Sequence, residues 1–363
     1  MRTVLLHVHS FLAGIPYRWL FLLLFSFFLT FALTPLVRFS ARRLKILDIP
    51  DERKIHKEPI PLLGGLAIYV SYVATIILNF DFSIELKGVI LGGTIVLLVG
   101  LVDDIKKLPA SLKLISQVMA SATMILCGVK LDFLPNSWWG NGGEVILTVI
   151  WTVGITNAVN FFDGMDGLAS GLTAICSLSF FVVAQMTHQS YLGFLTIALA
   201  GSTLGFLKFN FKPASIFLGD TGSTFLGFTL AGIAVMGGWA EKNPKVALSL
   251  PVLVLSVFIF DMVYITVARV LSGTVRTFKE WIEYTGKDHL HHRLASLGFN
   301  ETQTVLLIYL ISACLGISGI KLRAVEDLRI YLEFLQSFFI FVIIVILMLA
   351  GRRLNKEGES PPR

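Results

Sequence analysis

The sequence predicts an all-α polytopic integral membrane protein, a bundle of about eleven transmembrane helices with ten as the alternative count. Three observations predict it. The 363 residues are 55% hydrophobic and only 15% charged, with a mean hydropathy of +0.77, more apolar surface than a soluble domain can hide. Apolar runs of about 20 residues, long enough to cross a hydrocarbon core of about 30 Å as a helix, recur along the chain. Lys and Arg gather in alternate connections, the pattern of short cytoplasmic loops.

In chain order the runs are 17–37, 62–80, 86–102, 112–128, 145–161, 168–186, 191–209, 222–239, 246–270, 302–320 and 330–350. In lipid each must satisfy its own backbone hydrogen bonds, so each is read as a helix. The third and fifth carry glycines, which is where the count is least firm. Together they form one transmembrane domain over 1–351, followed by a short polar tail, 352–363. The N-terminus has Arg2 but no short apolar core with a small-residue cleavage site, so the first run is read as retained.

With an odd number of spans, one side receives Arg38, Arg42, Arg43, Lys45, Arg53, Lys54, Lys57, Lys106, Lys107, Lys113, Lys208, Lys212, Arg276, Lys279, Lys287, Arg293, Arg352 and Arg353. The other side receives about half as many, among them Lys87, Lys130, Lys242, Lys245, Lys321, Arg323 and Arg329. The richer side is taken as cytoplasmic. This bias accounts for most of the net charge of +6, and no zinc finger, RNA-binding signature or basic helical stripe accompanies it, so nucleic acid is not an expected partner. Cys127, Cys176 and Cys314 lie far apart inside apolar runs, an odd set that argues against disulfides or zinc and for packing.

The polar residues gather almost entirely in the connections of the basic side: "LDIPDERKIHKEPIPLLGG", "GLVDDIKKLPASLK", "TNAVNFFDGMDGLASG", "FLGDTGS" and "GKDHLHHRL". Any one cluster could simply solvate a helix end. Five on one face predict a shared site, because ionisable groups near membrane depth are costly without a use. Asp103 and Asp104, adjacent on a helix, point about 100° apart and cannot form a symmetric dyad. One is expected to face the site and the other to meet a cation, since acids at a helix C-terminus oppose its dipole.

Asp220 lies between Gly219 and Gly222 at the start of a run, with Thr221 and Ser223 as candidate caps. Either it is an N-cap, or the free amides beside it receive a phosphate arriving with Mg²⁺. His289, His291, His292 and Arg293 lack the Cys or Glu spacing of a zinc site and suit a pyrophosphate better, with a plain loop as the alternative. Asn157, Asn160, Asp163 and Asp166 recur at steps of three. Gly164, Gly167 and Gly171 are expected to break the helix so that the four line one surface. Their oxygen donors suit Mg²⁺, or Mn²⁺, held by one or two protein ligands plus substrate phosphates.

"GLVDDIKKLPASLK", "NAVNFFDGMDGLASG", "GDTGSTFLG" and "HLHHRLASLGF", in this order, resemble the polyprenyl-phosphate N-acetylhexosamine-1-phosphate transferases over about residues 48–299. Within them the chain looks most like the bacterial undecaprenyl-phosphate N-acetylglucosamine-1-phosphate transferases, which begin O-antigen, enterobacterial common antigen and teichoic acid synthesis. The resemblance implies an enzyme of the bacterial inner membrane with its site facing the cytoplasm. The phosphate of undecaprenyl phosphate would attack UDP-N-acetylglucosamine in the presence of Mg²⁺ and release UMP. It also implies roles: Asp220 and Asn160 at the metal, Asp103 as base or orienting acid with Asp104 its neighbour, and Lys113 on the pyrophosphate. Asp166 would contact the uracil, Asn157 would brace that surface, and Asp163 has a less settled role. His289, His291, His292 and Arg293 would bind phosphate and sugar.

The muramoyl-pentapeptide branch has three consecutive histidines where this chain has His-Leu-His-His, so UDP-N-acetylmuramoyl-pentapeptide is the alternative donor, with other UDP-N-acetylhexosamines beside it. A homodimer is expected by family analogy. A transporter would need essential ionisable groups on both faces, and a scaffold would leave the acids and histidines without a task.

Overall fold

The computed structural model describes residues 17–50, 58–79, 83–239, 244–277, 280, 284, 286, 288–322 and 327–358. Arg53, Lys54, Lys57, Lys242, Lys279, Lys287 and Arg323 lie outside the described residues, as does the last part of the expected tail. The chain divides into two compact units, Met1–Gly238 and Trp239–Arg363.

The first unit holds α1 (Arg18–Arg43), α2 (Gly64–Asn79), α3 (Ile84–Lys106), α4 (Ala110–Leu126), α5 (Trp138–Phe162), α6 (Leu168–Met186), α7 (Ser190–Asn210) and α8 (Gly219–Met236). Two short strands, β1 (Leu47–Asp48) and β2 (Ile60–Pro61), pair antiparallel between α1 and α2. The second unit holds α9 (Pro244–Val254), α10 (Ser256–Leu271), α11 (Leu290–Ala295), α12 (Glu301–Leu322) and α13 (Asp327–Gly358).

Each of the eleven apolar runs coincides with helix. Among the described residues, six helices are long and apolar enough to cross a membrane: α1, α3, α5, α6, α7 and α12. The count is seven if Lys245–Val254 and Ser256–Leu271 form one span, and these two are bent by 80° at a one-residue break. The chain is therefore a multi-pass helical membrane protein, with fewer clear spans than the eleven expected. The ninth run is broken at Leu255, four residues after Pro251, which itself lies inside α9. The runs at α2 and α4 form shorter apolar helices. α13 continues to Gly358, into the segment expected to be a polar tail.

α8 is the axis of the first unit. It packs against α2, α3 and α5, and nearly every residue from Gly219 to Ala234 is buried. Buried all round, it needs neighbours to come close, and small residues permit that. A Cβ on Gly65 would run into the backbone of Gly222, and one on Gly100 would stand 2.5 Å from the Asp220 carbonyl oxygen. The start of α8 is also stitched to the segment before α2: Phe217 donates its amide to Pro61 O at 2.8 Å, while the Gly64 and Gly65 amides donate to Phe217 O and Leu218 O at 3.0 Å each. Cys176 is buried, but Cys314 is exposed, so the expectation of packing fails there.

Candidate active site

Five of the expected residues meet at the first turn of α8. Asp220 projects from that turn, and its Oδ2 accepts from Lys113 Nζ at 2.8 Å while Oδ1 accepts from Asn160 Nδ2 at 3.2 Å. Lys113, near the start of α4, also donates to Asp103 Oδ2 at 3.4 Å. Asp103 is buried, and its other oxygen takes the Leu108 amide at 2.6 Å, closing the turn between α3 and α4. One ammonium thus bridges two carboxylates that are distant in sequence.

Asp104 points the other way, as the angle between helix neighbours requires. Its Oδ1 accepts the Asp220 amide at 2.9 Å; its Oδ2 accepts the Thr221 amide at 3.1 Å and the Thr221 hydroxyl at 2.6 Å. An acid at the unfavourable end of α3 therefore lies at the favourable, positive end of α8. This corrects the expected N-terminus. Thr221 and Ser223 do not cap α8: Thr221 donates to Asp104, and Ser223 Oγ donates to Gly219 O at 3.0 Å. The amides of Asp220 and Thr221 are occupied by a carboxylate and are not open to a phosphate. Gly219 permits the arrangement, having φ +73° and standing where a Cβ would be 2.5 Å from Asp104 Oδ2.

The four residues spaced by three fall in two segments, Asn157 and Asn160 on a helix and Asp163 and Asp166 in the turn that follows it. Asn157 and Asn160 belong to α5, which runs unbroken to Phe162, and Gly171 lies inside α6. Only Gly167 has the positive φ of a break, +79°. Asn157 exchanges two hydrogen bonds with Gln117 on α4, at 2.7 and 3.2 Å. Asn160 donates to Asp220 and, at 2.7 Å, to Ser223 Oγ. Asp166 accepts the Ala214 amide at 2.9 Å, which ties the turn after α5 to the connection before α8. Gln117 was not anticipated, although it follows Lys113 by one helical turn and so shares its face.

Asp163 follows α5, outside the membrane helices, beside the same helix start. Burial first, then the carboxylates of Asp220, Asp104 and Asp166, hold its carboxyl well above the usual range, opposed by a hydrogen bond from the Gly219 backbone. With its folded value raised, the folded protein keeps a proton that the unfolded chain has lost, so stability falls as pH rises between the two values. The thermal midpoint is expected to fall with rising pH more steeply in the wild type than in Asp163→Asn. Parallel curves for the two proteins, measured from about pH 4 to pH 8, would remove this role.

The histidine cluster belongs to the second unit. His289 Nδ1 pairs with Asp261 Oδ2 at 2.7 Å, and the Leu290 amide donates to Asp261 Oδ1 at 2.6 Å. The His289 and His291 rings stack with centroids 5.8 Å apart, and His291 and His292 lie at 4.3 Å. Burial first, then His292 and His289, push His291 well below the usual histidine range, so it is neutral near pH 7. Arg293 Nε donates to Asp288 O at 2.7 Å, and its guanidinium lies 5.2 Å from the Tyr264 ring centre. Arg269 grips Asp288 through two bonds of 2.8 and 2.7 Å and stands 4.5 Å from the centre of the Tyr284 ring. Burial pushes the Asp288 carboxyl up, but Arg269 outweighs it and holds Asp288 below the usual range. Asp261 and Arg269 were absorbed into an apolar run in the sequence; a charge inside such a run was the available signal.

The donor set at Asp220 fits a hard cation. Oxygen atoms dominate it, and Asn160, whose Nδ2 is engaged, has its Oδ1 to offer. Among the described residues no three His, Cys, Asp or Glu side chains form a metal cage. A site of this kind suits Mg²⁺, which keeps water and substrate phosphates as most of its ligands, better than a caged transition metal.

The family described as "Glycosyl transferase family 4" matches residues 86–238. A relative from Bacillus subtilis, named probable undecaprenyl-phosphate N-acetylglucosaminyl 1-phosphate transferase, is 32% identical over 334 residues, 90% of each chain. Decaprenyl-phosphate N-acetylglucosaminephosphotransferase of Mycobacterium leprae is 34% identical over 333 residues, 82% of each chain. Phospho-N-acetylmuramoyl-pentapeptide-transferase of Staphylococcus saprophyticus is 28% identical over 330 residues, 82% of this chain and 97% of that one.

Proposed function

This chain belongs to glycosyl transferase family 4 and is an enzyme that transfers sugar phosphate, and from that premise we propose that it moves N-acetylglucosamine 1-phosphate from UDP-N-acetylglucosamine to undecaprenyl phosphate. Family membership sets aside the transporter and scaffold readings. The observation that best supports the proposal is the Lys113 ammonium held between Asp103 and Asp220 beside Asn160. It combines fixed positive charge with oxygen ligands, which a transferring phosphoryl group requires.

In the reaction an oxygen of the lipid phosphate forms a bond to the sugar-bearing β-phosphorus. The bond from that phosphorus to the bridging oxygen breaks, and UMP leaves with the electron pair. Asp220 and Asn160 would hold Mg²⁺, which when bound neutralises phosphate charge. Lys113 binds and orients the pyrophosphate, and Asp103 fixes Lys113. A base is not essential, because a phosphate monoester with a second pKa near 6 is already mostly dianionic at neutral pH. Asp104 and Asp163 hold the start of α8, and with it Asp220. Asp166 and Asn157 are assigned to the nucleotide side, and His289, His291, His292 and Arg293 to phosphate and sugar. The reading includes the bacterial inner membrane, a cytoplasmic-facing site, a homodimer, and entry into O-antigen or teichoic acid type synthesis.

Purified protein given undecaprenyl phosphate and labelled UDP-N-acetylglucosamine is expected to release UMP only when Mg²⁺ is present. Activity with UDP-N-acetylmuramoyl-pentapeptide in place of UDP-N-acetylglucosamine would move the chain to the sister branch. Release unaffected by chelation would remove the metal.

A further inference from the structure

Polar side chains meet between α4 and α5 at successive turns. Gln117 pairs with Asn157; one turn further along α4, Ser121 Oγ lies 2.6 Å from Thr152 Oγ1, about one turn back along α5. The two helices therefore run antiparallel, and one turn from Gln117 in the other direction Lys113 reaches Asp220 beside Asn160. Gln117 is buried, as are Ser121 and Thr152.

These pairs differ in how firmly they fix the height of α4 against α5. The Ser121 and Thr152 hydroxyls can fall back on carbonyls of their own helices, Gln117 O and Thr148 O, each at 2.8 Å. The amide pair has less freedom. Val153 O can only accept, and Asn157 Nδ2 donates to it at 2.8 Å, which settles the donor end of the Asn157 amide. Nδ2 then donates to Gln117 Oε1 at 2.7 Å, and Oδ1 accepts from Gln117 Nε2 at 3.2 Å. A slide of α4 by one residue, about 1.5 Å, takes the pair out of this two-way fit and leaves buried amides unpaired. Apolar contacts give no such register, because lipid chains are as apolar as the side chains. Lys113 has little slack to absorb a slide: it holds Asp220 at 2.8 Å but Asp103 at only 3.4 Å, near the limit of a hydrogen bond.

We propose that Gln117 is a positioning residue: paired with Asn157, it sets the register of α4 on α5 and so keeps the Lys113 ammonium between Asp103 and Asp220, where the pyrophosphate is received. The pyrophosphate contact rests on the function proposed above; the register does not. Gln117 acts through Lys113, one turn away on the same helix face.

The test uses the full chain in lipid nanodiscs. Gln117→Met keeps the length of the side chain and removes both polar ends. It is expected to lower kcat for UMP release at least about tenfold, with a smaller change in KM for UDP-N-acetylglucosamine. It is also expected to raise acylation of Lys113 by a water-soluble amine reagent, read by mass spectrometry against the exposed Lys106 and Lys107. Adding Asn157→Leu removes the amide left without its partner and is expected to return the thermal midpoint toward that of the wild type. It is not expected to return kcat or the protection of Lys113, which separates register from packing. If Gln117→Met does not fold, this double variant carries both readouts. Unchanged acylation of Lys113 overturns the proposal, and so does unchanged kcat. Wild-type protein that releases no UMP would overturn the proposed function, and acylation of Lys113 alone would then decide the role of Gln117.

Discussion

Asp220→Ala is expected to lower UMP release by at least about 10³-fold while the protein still inserts and elutes as a folded species. Two facts separate activity from folding here. The backbone at residue 220 is anchored without its side chain: Asp104 takes the amide, and Gly100 and Gly65 make room for the helix start. The carboxylate is what binds Lys113 and Asn160, so its removal leaves Lys113 on Asp103 alone and takes away the oxygen ligand proposed for a cation. Steady-state release of labelled UMP, with size-exclusion elution as the folding control, measures both halves. Turnover near the wild-type level would take Asp220 out of the metal site.

Asp104→Ala should behave differently, losing stability as well as activity. Three donors converge on this carboxylate, the amides of Asp220 and Thr221 and the Thr221 hydroxyl, and Asp104 and Thr221 are both buried. A buried donor left without a partner costs about 1–3 kcal/mol. The variant is therefore expected to lose roughly 3 kcal/mol or more, allowing for donors that act as a unit. Asp104→Asn should recover only part of this, since an amide has one acceptor oxygen for three donors. Thermal unfolding in detergent gives the stability, and UMP release well below the midpoint gives the activity. An unchanged midpoint in Asp104→Ala would show that the start of α8 is held by something else.

Hydropathy alone located every helix that carries apolar sequence, because the physics that makes a helix in lipid depends only on local composition. It did not reveal that the ninth run breaks at Leu255, inside a stretch of unbroken apolar composition. The site was legible as a set of residue types. Asp103, Lys113, Asn160 and Asp220 were each named from local pattern or family resemblance, and they do converge. What each acid touches was not legible. Asp104 meets an amide 116 residues away, and nothing near Asp104 in the sequence says that its partner is a helix start rather than a substrate. Asp261 was hidden for the opposite reason: one charge in a long apolar stretch hardly alters its average, yet it is the group that holds His289.

The first turn of α8 joins residues that leave the ribosome at widely separated times, from Gly65 through Asp104, Lys113 and Asn160 to Asp220. Until α8 is inserted, Asp104 lacks its amide donors and Lys113 has only one carboxylate. The acids must wait during synthesis as hydrated or protonated groups at the membrane edge. Arrival of α8 converts them in one step from a liability into a clamp. A nascent chain that stalls before this helix therefore lacks the clamp, and on the proposed function the arrival of α8 is what would complete the site.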